Sequence, residues 1–477
     1  MAKIAMIGAG SLVFCKTLSL DILATEALKD SELCLMSRTR PKLDRMEGFV
    51  KRVIQENRLP ATVSSTLDRR QALDGADYVI IMIQEGGLDA FGLDYKIPLK
   101  YGVDQCIGDS LGPGGIFRGL RTIPVLIDIA RDMEKLCPGA LMLNYANPMA
   151  ACCLALGKAT KVPFIGLCHG VQTTLDLISG YVGVPKSQID FLCAGINHMA
   201  WFLSLLDKRD GRDLYPILRR NIEKPEYYVN EKVRCEVMRH FGYFMTESTG
   251  HLSEYIPWFR KNQKALDLYC DQPAFGGASG AYYNYTLGVL DKYKDVDYLA
   301  AESAKITGRS VEYCSHILEA VETDNVFRLN GNVRNDGYIT NLPDKCCVEV
   351  PVYVDRRGFH PVRIGDLPIQ CAALNQSNVT VQQLAAEAAL TGDPEYAMQA
   401  VAMDPLTSAV CTLDECRRMT AEMMEAEKQW LPIFKGKTLT PKRAIDTQGV
   451  KGVDVPLDPA LAIANRFVDL AKKASQG

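Results

Sequence analysis

The sequence predicts an α/β protein, with a doubly wound parallel sheet in residues 1–200 and an α+β domain in residues 201–477. Three observations carry that prediction. Short apolar runs alternate with helical patterns through the first two hundred residues, the texture of strand–helix–strand units. The first run, Lys3-Ile-Ala-Met-Ile7, passes straight into Gly8-Ala-Gly-Ser11 ahead of a helical pattern through Leu20 and Ile22. After Trp201 the texture changes: residues 205–324 read as charge-rich helices, 325–365 as strands, and the chain beyond Val379 as helices again.

With 477 residues, 47% hydrophobic and 23% charged, the chain can bury a large core in two or three packed lobes. A net charge of -3 provides no basic field, which argues against nucleic acid and acidic membranes as partners. The 16 cysteines are scattered, with adjacent pairs at Cys152-Cys153 and Cys346-Cys347, in a chain too large to need staples. They read as reduced thiols in a cytoplasm. The N-terminus has no signal-peptide hydrophobic region, and no later apolar run is long enough to span a bilayer.

In the first turn, Gly8 permits a tight bend and Gly10 lets the backbone approach a pyrophosphate, while the helix after Ser11 offers free N–H groups and its positive end. This is a dinucleotide-type turn lacking its third glycine, and a plain strand-to-helix turn is the competing reading. The second strand, Glu32-Leu-Cys-Leu-Met36, ends not on the acid expected for NAD but on Ser37-Arg38-Thr39-Arg40. Those arginines either meet a 2′-phosphate, the NADP arrangement, or form a solvated loop before Pro41.

A helix follows over Lys42–Asn57, then a buried strand, Asp77–Ile83, that ends in Gln84-Glu-Gly-Gly87 beside the nicotinamide half of the usual site. Gly108-Asp-Ser-Leu-Gly-Pro-Gly-Gly115 reads as a long ordered loop, with Arg118 and Arg121 opening the next helix. The strand from Ala140 reaches Asn147-Pro148, where Asn147 is held extended. Asn147 either binds a sugar or carboxylate, or caps the helix that follows. Phe164-Ile-Gly-Leu-Cys-His-Gly170 delivers Cys168 and His169 at a strand's carboxyl end, where ligands bind in such sheets. His198 follows a second apolar run, and with Cys168 it could hold a metal. Their spacing does not specify this, since zinc patterns pair ligands a few residues apart; a buried thiol and a satisfied histidine is the other reading. Phe244–Arg260 is a motif-like loop, residues 434–456 an extended arm, and Asp458-Pro459 starts a last helix.

Taken together, Gly8-Ala-Gly-Ser11, Asp109-Ser-Leu-Gly-Pro-Gly-Gly115, Asn144-Tyr-Ala-Asn-Pro-Met149, Gly166-Leu-Cys-His169, Gly195-Ile-Asn-His-Met-Ala200 and Asn332-Val-Arg-Asn-Asp-Gly337 strongly resemble glycoside hydrolase family 4, nearest its melibiase-type α-galactosidase branch. The resemblance runs from Lys3 to about Pro432. It implies a Rossmann-like fold akin to lactate and malate dehydrogenases, and NAD-dependent rather than two-carboxylate hydrolysis. It implies oxidation at C3 of the sugar, loss of the C2 proton, elimination of the C1 oxygen, and return of the hydrogen after water adds. Cofactor contacts fall to Gly8, Gly10, Ser11, Ser37 and Arg38. Cys168 and His198 would hold a divalent ion, usually manganese; Asn147 and Asn197 would bind the sugar. Tyr255 is the expected base, with Arg260 beside it and the substrate. Asp109 and His169 would line the sugar site, His169 standing where some members carry the acid that assists the leaving group. A homodimer or homotetramer is expected.

Two positions depart from the family. Ser37 replaces an acid, which reopens NAD against NADP. Gly170 replaces the serine usual in melibiases, opening space that suits a larger or anionic C6 group. An α-galactoside is the expected substrate, with an α-glucuronide, α-glucoside or α-sulfoquinovoside as alternatives by the same mechanism, and a plain NAD(P)-dependent sugar or hydroxy-acid dehydrogenase as a different class.

Overall fold

The computed structural model describes residues 1–11, 14–293, 297–456 and 458–474. They fall in two compact units, Met1–Leu439 and Thr440–Gly477. The first is built on one mixed sheet of eleven strands. Its parallel part comprises β1 (Lys3–Ile7), β2 (Glu32–Met36), β3 (Thr62–Thr66), β4 (Tyr78–Ile81), β5 (Leu141–Asn144) and β6 (Phe164–Gly166), in the order β3-β2-β1-β4-β5-β6. That is the dinucleotide-binding order of a doubly wound sheet. β1 and β4 are buried almost throughout, because helices cover both faces and every position must be apolar. β3 has no such signal: Thr62-Val-Ser-Ser-Thr66 lies at the sheet edge, largely in contact with water.

The sheet does not stop at β6. β7 (Ile189–Ile196) and β8 (Met199–Asp207) form an antiparallel hairpin, and β9 (Phe327–Arg334), β10 (Cys347–Asp355) and β11 (Gly358–Pro361) bring the later strands into the same sheet. The order continues β6-β9-β10-β7-β8, with β11 on β10. The expectation of a parallel pattern up to His198 therefore ends at β6. Two residues, Asn197 and His198, join β7 to β8, far too few for the crossover a parallel pair requires. The division at residue 200 falls just inside β8.

One lateral row crosses this sheet: Ile7, Ile81, Asn144, Gly166, Asn332, Glu349, Gly195 and Ala200 are successive register partners. The row starts one residue before Gly8, passes two residues before Cys168, and ends beside the Asn197–His198 turn. The Gly8 turn, Cys168 and the Asn197–His198 turn thus lie along a single edge.

The glycine-rich stretch expected as loop is partly helix. Gly112-Pro-Gly-Gly115 forms the first turn of a helix running to Leu136. Pro113 suits that position because its missing N–H would have been unpaired there. The glycines are dictated by contact: a Cβ at Gly114 would stand 2.7 Å from the Gly108 carbonyl oxygen. The arm expected over 434–456 carries one short turn, Pro432–Phe434, before chain without helix or strand. In the second unit the helix is Pro459–Ala474. Among the described residues no helix is long and apolar enough to cross a membrane, and the 16 cysteines are all free thiols.

Candidate active site

β6 ends at Gly166, and Cys168 lies just before the helix Gly170–Val182, so its sulfur accepts the Gly170 N–H at 3.4 Å. A helix start favours a thiolate. His198 comes from the β7–β8 turn, where its backbone takes the left-handed conformation with φ 62°. A third group joins them: Glu247, also left-handed with φ 73°, whose Oε1 lies 3.5 Å from Cys168 Sγ and 3.9 Å from His198 Nε2. Sulfur, nitrogen and oxygen donors from three separate segments stand within 4.8 Å of one another. This donor set, one soft and two harder ligands, fits a divalent transition metal.

Electrostatics agree with the geometry. Burial, and then the Glu247 and Glu349 carboxylates, push the Cys168 thiol well above its ordinary value. Ionising it needs a cation at the cluster. Burial opposes the Glu247 charge, but His198, His251 and His169 outweigh it and hold its carboxyl below the usual range. Glu349, on β10, is pushed up to about 8 by burial and by Glu247.

Tyr255 ends the short helix Thr249–Tyr255 inside the stretch expected as loop. It is buried, stacked on His198 at an interplanar angle of 4°, with its hydroxyl 3.1 Å from Nδ1. His251 packs edge-on against both rings. Burial and the carboxylates of Glu254, Asp109 and Glu247 raise the Tyr255 phenol well above its ordinary value.

Asp109 occupies the other side. It accepts hydrogen bonds from Asn147 Nδ2 at 3.1 Å and Ser110 Oγ at 2.8 Å, and lies 3.9 Å from Arg118. Burial works against its charge, yet Arg118, His251 and His198 prevail and keep the carboxyl below its usual range. The helix after Pro148 has no side-chain cap, so Asn147 spends its amide on Asp109 instead. Several buried polar atoms here have no hydrogen-bond partner among the described residues: Asn197 Nδ2, Arg118 Nε and Nη1, Asn332 Oδ1 and Glu349 Oε1. Such orphans are costly without a ligand or water.

At the dinucleotide turn, Gly8 has φ 94° and a Cβ there would collide with the Met82 carbonyl. The N–H groups of Gly8 and Ala9 both donate to Met36 O at 2.9 Å, pinning the turn to the end of β2. Ser11 Oγ accepts the Phe14 N–H at 3.3 Å, at the start of the helix Phe14–Leu23. Ser37 is buried, and a Cβ on Gly10 would stand 3.0 Å from its hydroxyl. Arg38 pairs with Glu85 at 2.8 Å and Arg40 with Asp44 at 2.7 Å, so both arginines already have carboxylate partners.

Three expectations change. Arg260 is not brought to the cluster: it is buried, bound to Asp104 and the Gly277 carbonyl, and serves the loop that carries Asp109. His169 is about half exposed and turns to Glu312, 3.3 Å away. The space expected over Gly170 is filled, because a Cβ there would fall on Glu247 Oε1. Glu247, His251, Arg118 and Glu349 went unremarked as site residues in the sequence. For the first pair a signal existed, an acid and a histidine four residues apart at a helix start; Glu349 is reached only through strand pairing.

Known proteins share this architecture. The model for the Family 4 glycosyl hydrolase matches residues 3–184, and that for the Family 4 glycosyl hydrolase C-terminal domain matches residues 193–407. An alpha-galactosidase of Rhizobium meliloti (strain 1021) is 41% identical over 441 residues, covering 91% of this chain and 89% of that one. An alpha-galactosidase of Bacillus subtilis (strain 168) is also 41% identical, over 91% of this chain and 100% of that one. Among solved structures, the 6-phospho-beta glucosidase of Thermotoga maritima with manganese, NAD+ and glucose-6-phosphate has the same fold, with a TM-score of 0.73 at 22% identity over 90% of this chain and 98% of that one.

Proposed function

The chain belongs to family 4 of the glycosyl hydrolases, and from that membership we propose that it cleaves an α-galactoside with NAD and a divalent metal ion as cofactors. The observation that carries this reading is the meeting of Cys168, His198, Glu247 and Tyr255 at the sheet edge that also holds the Gly8 turn. The two alpha-galactosidases at 41% identity support the sugar. NAD is favoured because both arginines after Ser37 are engaged. The free thiols support a reducing cytoplasm, and a homodimer or homotetramer is part of the same reading.

Bound NAD would supply an acceptor for the hydride from C3 of the sugar, and a divalent ion held by Cys168 and His198 would supply positive charge that polarises the C3 carbonyl so formed. Asn197 offers the sugar an unpartnered buried N–H group, and Asn147, steadied by Asp109, offers its amide oxygen. Tyr255 removes the C2 proton, which a ketone at C3 makes acidic. With His198 Nε2 unprotonated as the atom that would ligate the ion, the ring hydrogen lies on Nδ1 and the Tyr255 oxygen accepts it, which favours the phenolate. Although His169 turns to Glu312, that carboxylate holds it toward the protonated form, and we assign it the protonation of the departing oxygen.

The test is hydrolysis of an aryl α-galactoside in heavy water with manganese, reductant and NAD. Deuterium is expected at C2 of the released galactose and none at C3. Tyr255→Phe should lose the exchange while bound sugar still reduces NAD. Product without C2 deuterium would refute the mechanism, and faster cleavage of an α-glucuronide than of the galactoside would move the sugar assignment.

A further inference from the structure

We propose that Glu247 is a third protein ligand of the divalent ion, and that Gly170 is the positioning residue that leaves its carboxylate room. This rests on the reading of Cys168 and His198 as ligands, makes a ligand of the carboxylate beside them, and gives Gly170 a role. Four observations meet here. Cys168 Sγ stands 3.5 Å from Glu247 Oε1, the thiol donating to the carboxylate, so ionising the sulfur turns this contact into a pair of anions that only a shared cation can hold. It faces the same His198 nitrogen, Nε2, that points away from Tyr255. Its backbone is held left-handed although it is not glycine, a conformation kept where the surroundings fix it. A Cβ at residue 170 would fall on Oε1 itself, and would lie 3.5 Å from Cys168 Sγ.

The collision partner decides what a substitution does. Oε1 is the far end of a flexible side chain, and Gly170 opens a helix with ordinary backbone angles. An alanine there is therefore accepted by the fold, and in a helix it is even preferred. What must move is the carboxylate, which swings away from the sulfur. Gly170→Ala is thus predicted to act as a remote deletion of Glu247, leaving the two remaining ligands in place.

The experiment is Mn2+ titration of the chelator-stripped full chain, with free Mn2+ read by electron paramagnetic resonance. NAD binding by fluorescence and the metal-free melting temperature report folding. Glu247→Gln should weaken Mn2+ binding by at least the roughly 10- to 100-fold that loss of even an outer-sphere partner causes. Gly170→Ala should fall in the same range with NAD binding and metal-free melting retained. The double variant should be no weaker than Glu247→Gln alone, since the glycine acts only through the acid. Wild-type Mn2+ affinity in Glu247→Gln overturns the ligand. Wild-type affinity in Gly170→Ala, or losses in the double variant that multiply, overturns the positioning role. Cys168→Ser with undiminished affinity sinks the underlying metal site, an outcome distinct from the others.

Discussion

Asp109 and Arg118 are both almost fully buried, so neither charge has water to fall back on. Asp109→Asn removes the countercharge from a guanidinium that already has two unpartnered nitrogens. An uncompensated buried group costs about 1–3 kcal/mol, so we expect a lower denaturation midpoint as well as weaker sugar binding; an unchanged midpoint would show that the charge is met elsewhere. A second single-residue prediction concerns the cofactor. Arg38 is exposed and its pair with Glu85 is of the surface kind, worth about 0–1 kcal/mol. Glu85→Gln should free it and improve NADP binding up to several-fold with NAD affinity unchanged, as read by fluorescence titration. Cys168, His198 and Asn147 were legible from sequence because each ends an apolar run, and Tyr255 was reached through the resemblance. Arg260 was misplaced because a cation near a tyrosine in sequence is not near its hydroxyl in space when the helix ends at Tyr255 and the chain turns away before residue 260.

The segment 106–115 shows how one element is held by another. Glu254 accepts the N–H groups of Cys106, Ile107 and Gly108 at 2.8, 3.1 and 3.0 Å, and Asp404 accepts that of Gly112 at 3.0 Å. Glu254 therefore sits beside the candidate base in sequence and supports the loop bearing Asp109 in space. Glu254→Ala leaves three buried backbone donors unpaired, at about 1–3 kcal/mol each. Faster hydrogen exchange at 106–108 and a clear drop in melting temperature are expected; protection as in the parent chain would show that the loop holds itself. The helix beginning at Gly112 was hidden in the sequence because three glycines and a proline in four residues contradict helix propensity. Close packing against Gly108, Asp94 and Ser110, visible only in three dimensions, overrides it.

For the molecule as a whole, the candidate metal cluster ties together residues 168, 198 and 247, so an ion that bound there would bind only the folded chain. Mass action then stabilises it by about 2.7 kcal/mol at one hundred times the dissociation constant. Melting temperature should rise with added Mn2+ in the parent chain and stay flat in Cys168→Ser; equal rises in both would place the ion elsewhere. The parallel half of the sheet was readable, β3 apart, because its other strands are compact apolar runs followed by helices. Its antiparallel continuation was not, since pairing β6 with β9 joins Gly166 to Asn332 across more than 150 residues of chain.

The row of register partners from Ile7 to Gly166 counts three strand steps between the dinucleotide turn and the segment bearing Cys168. At roughly 4.8 Å per step, the span between these two halves of the machinery is fixed near 14 Å by the ladder itself. The sheet is in effect a gauge block. Surface loops can lengthen, shorten or trade side chains while the reach from the turn that would hold the cofactor's phosphates to the Cys168 segment stays constant.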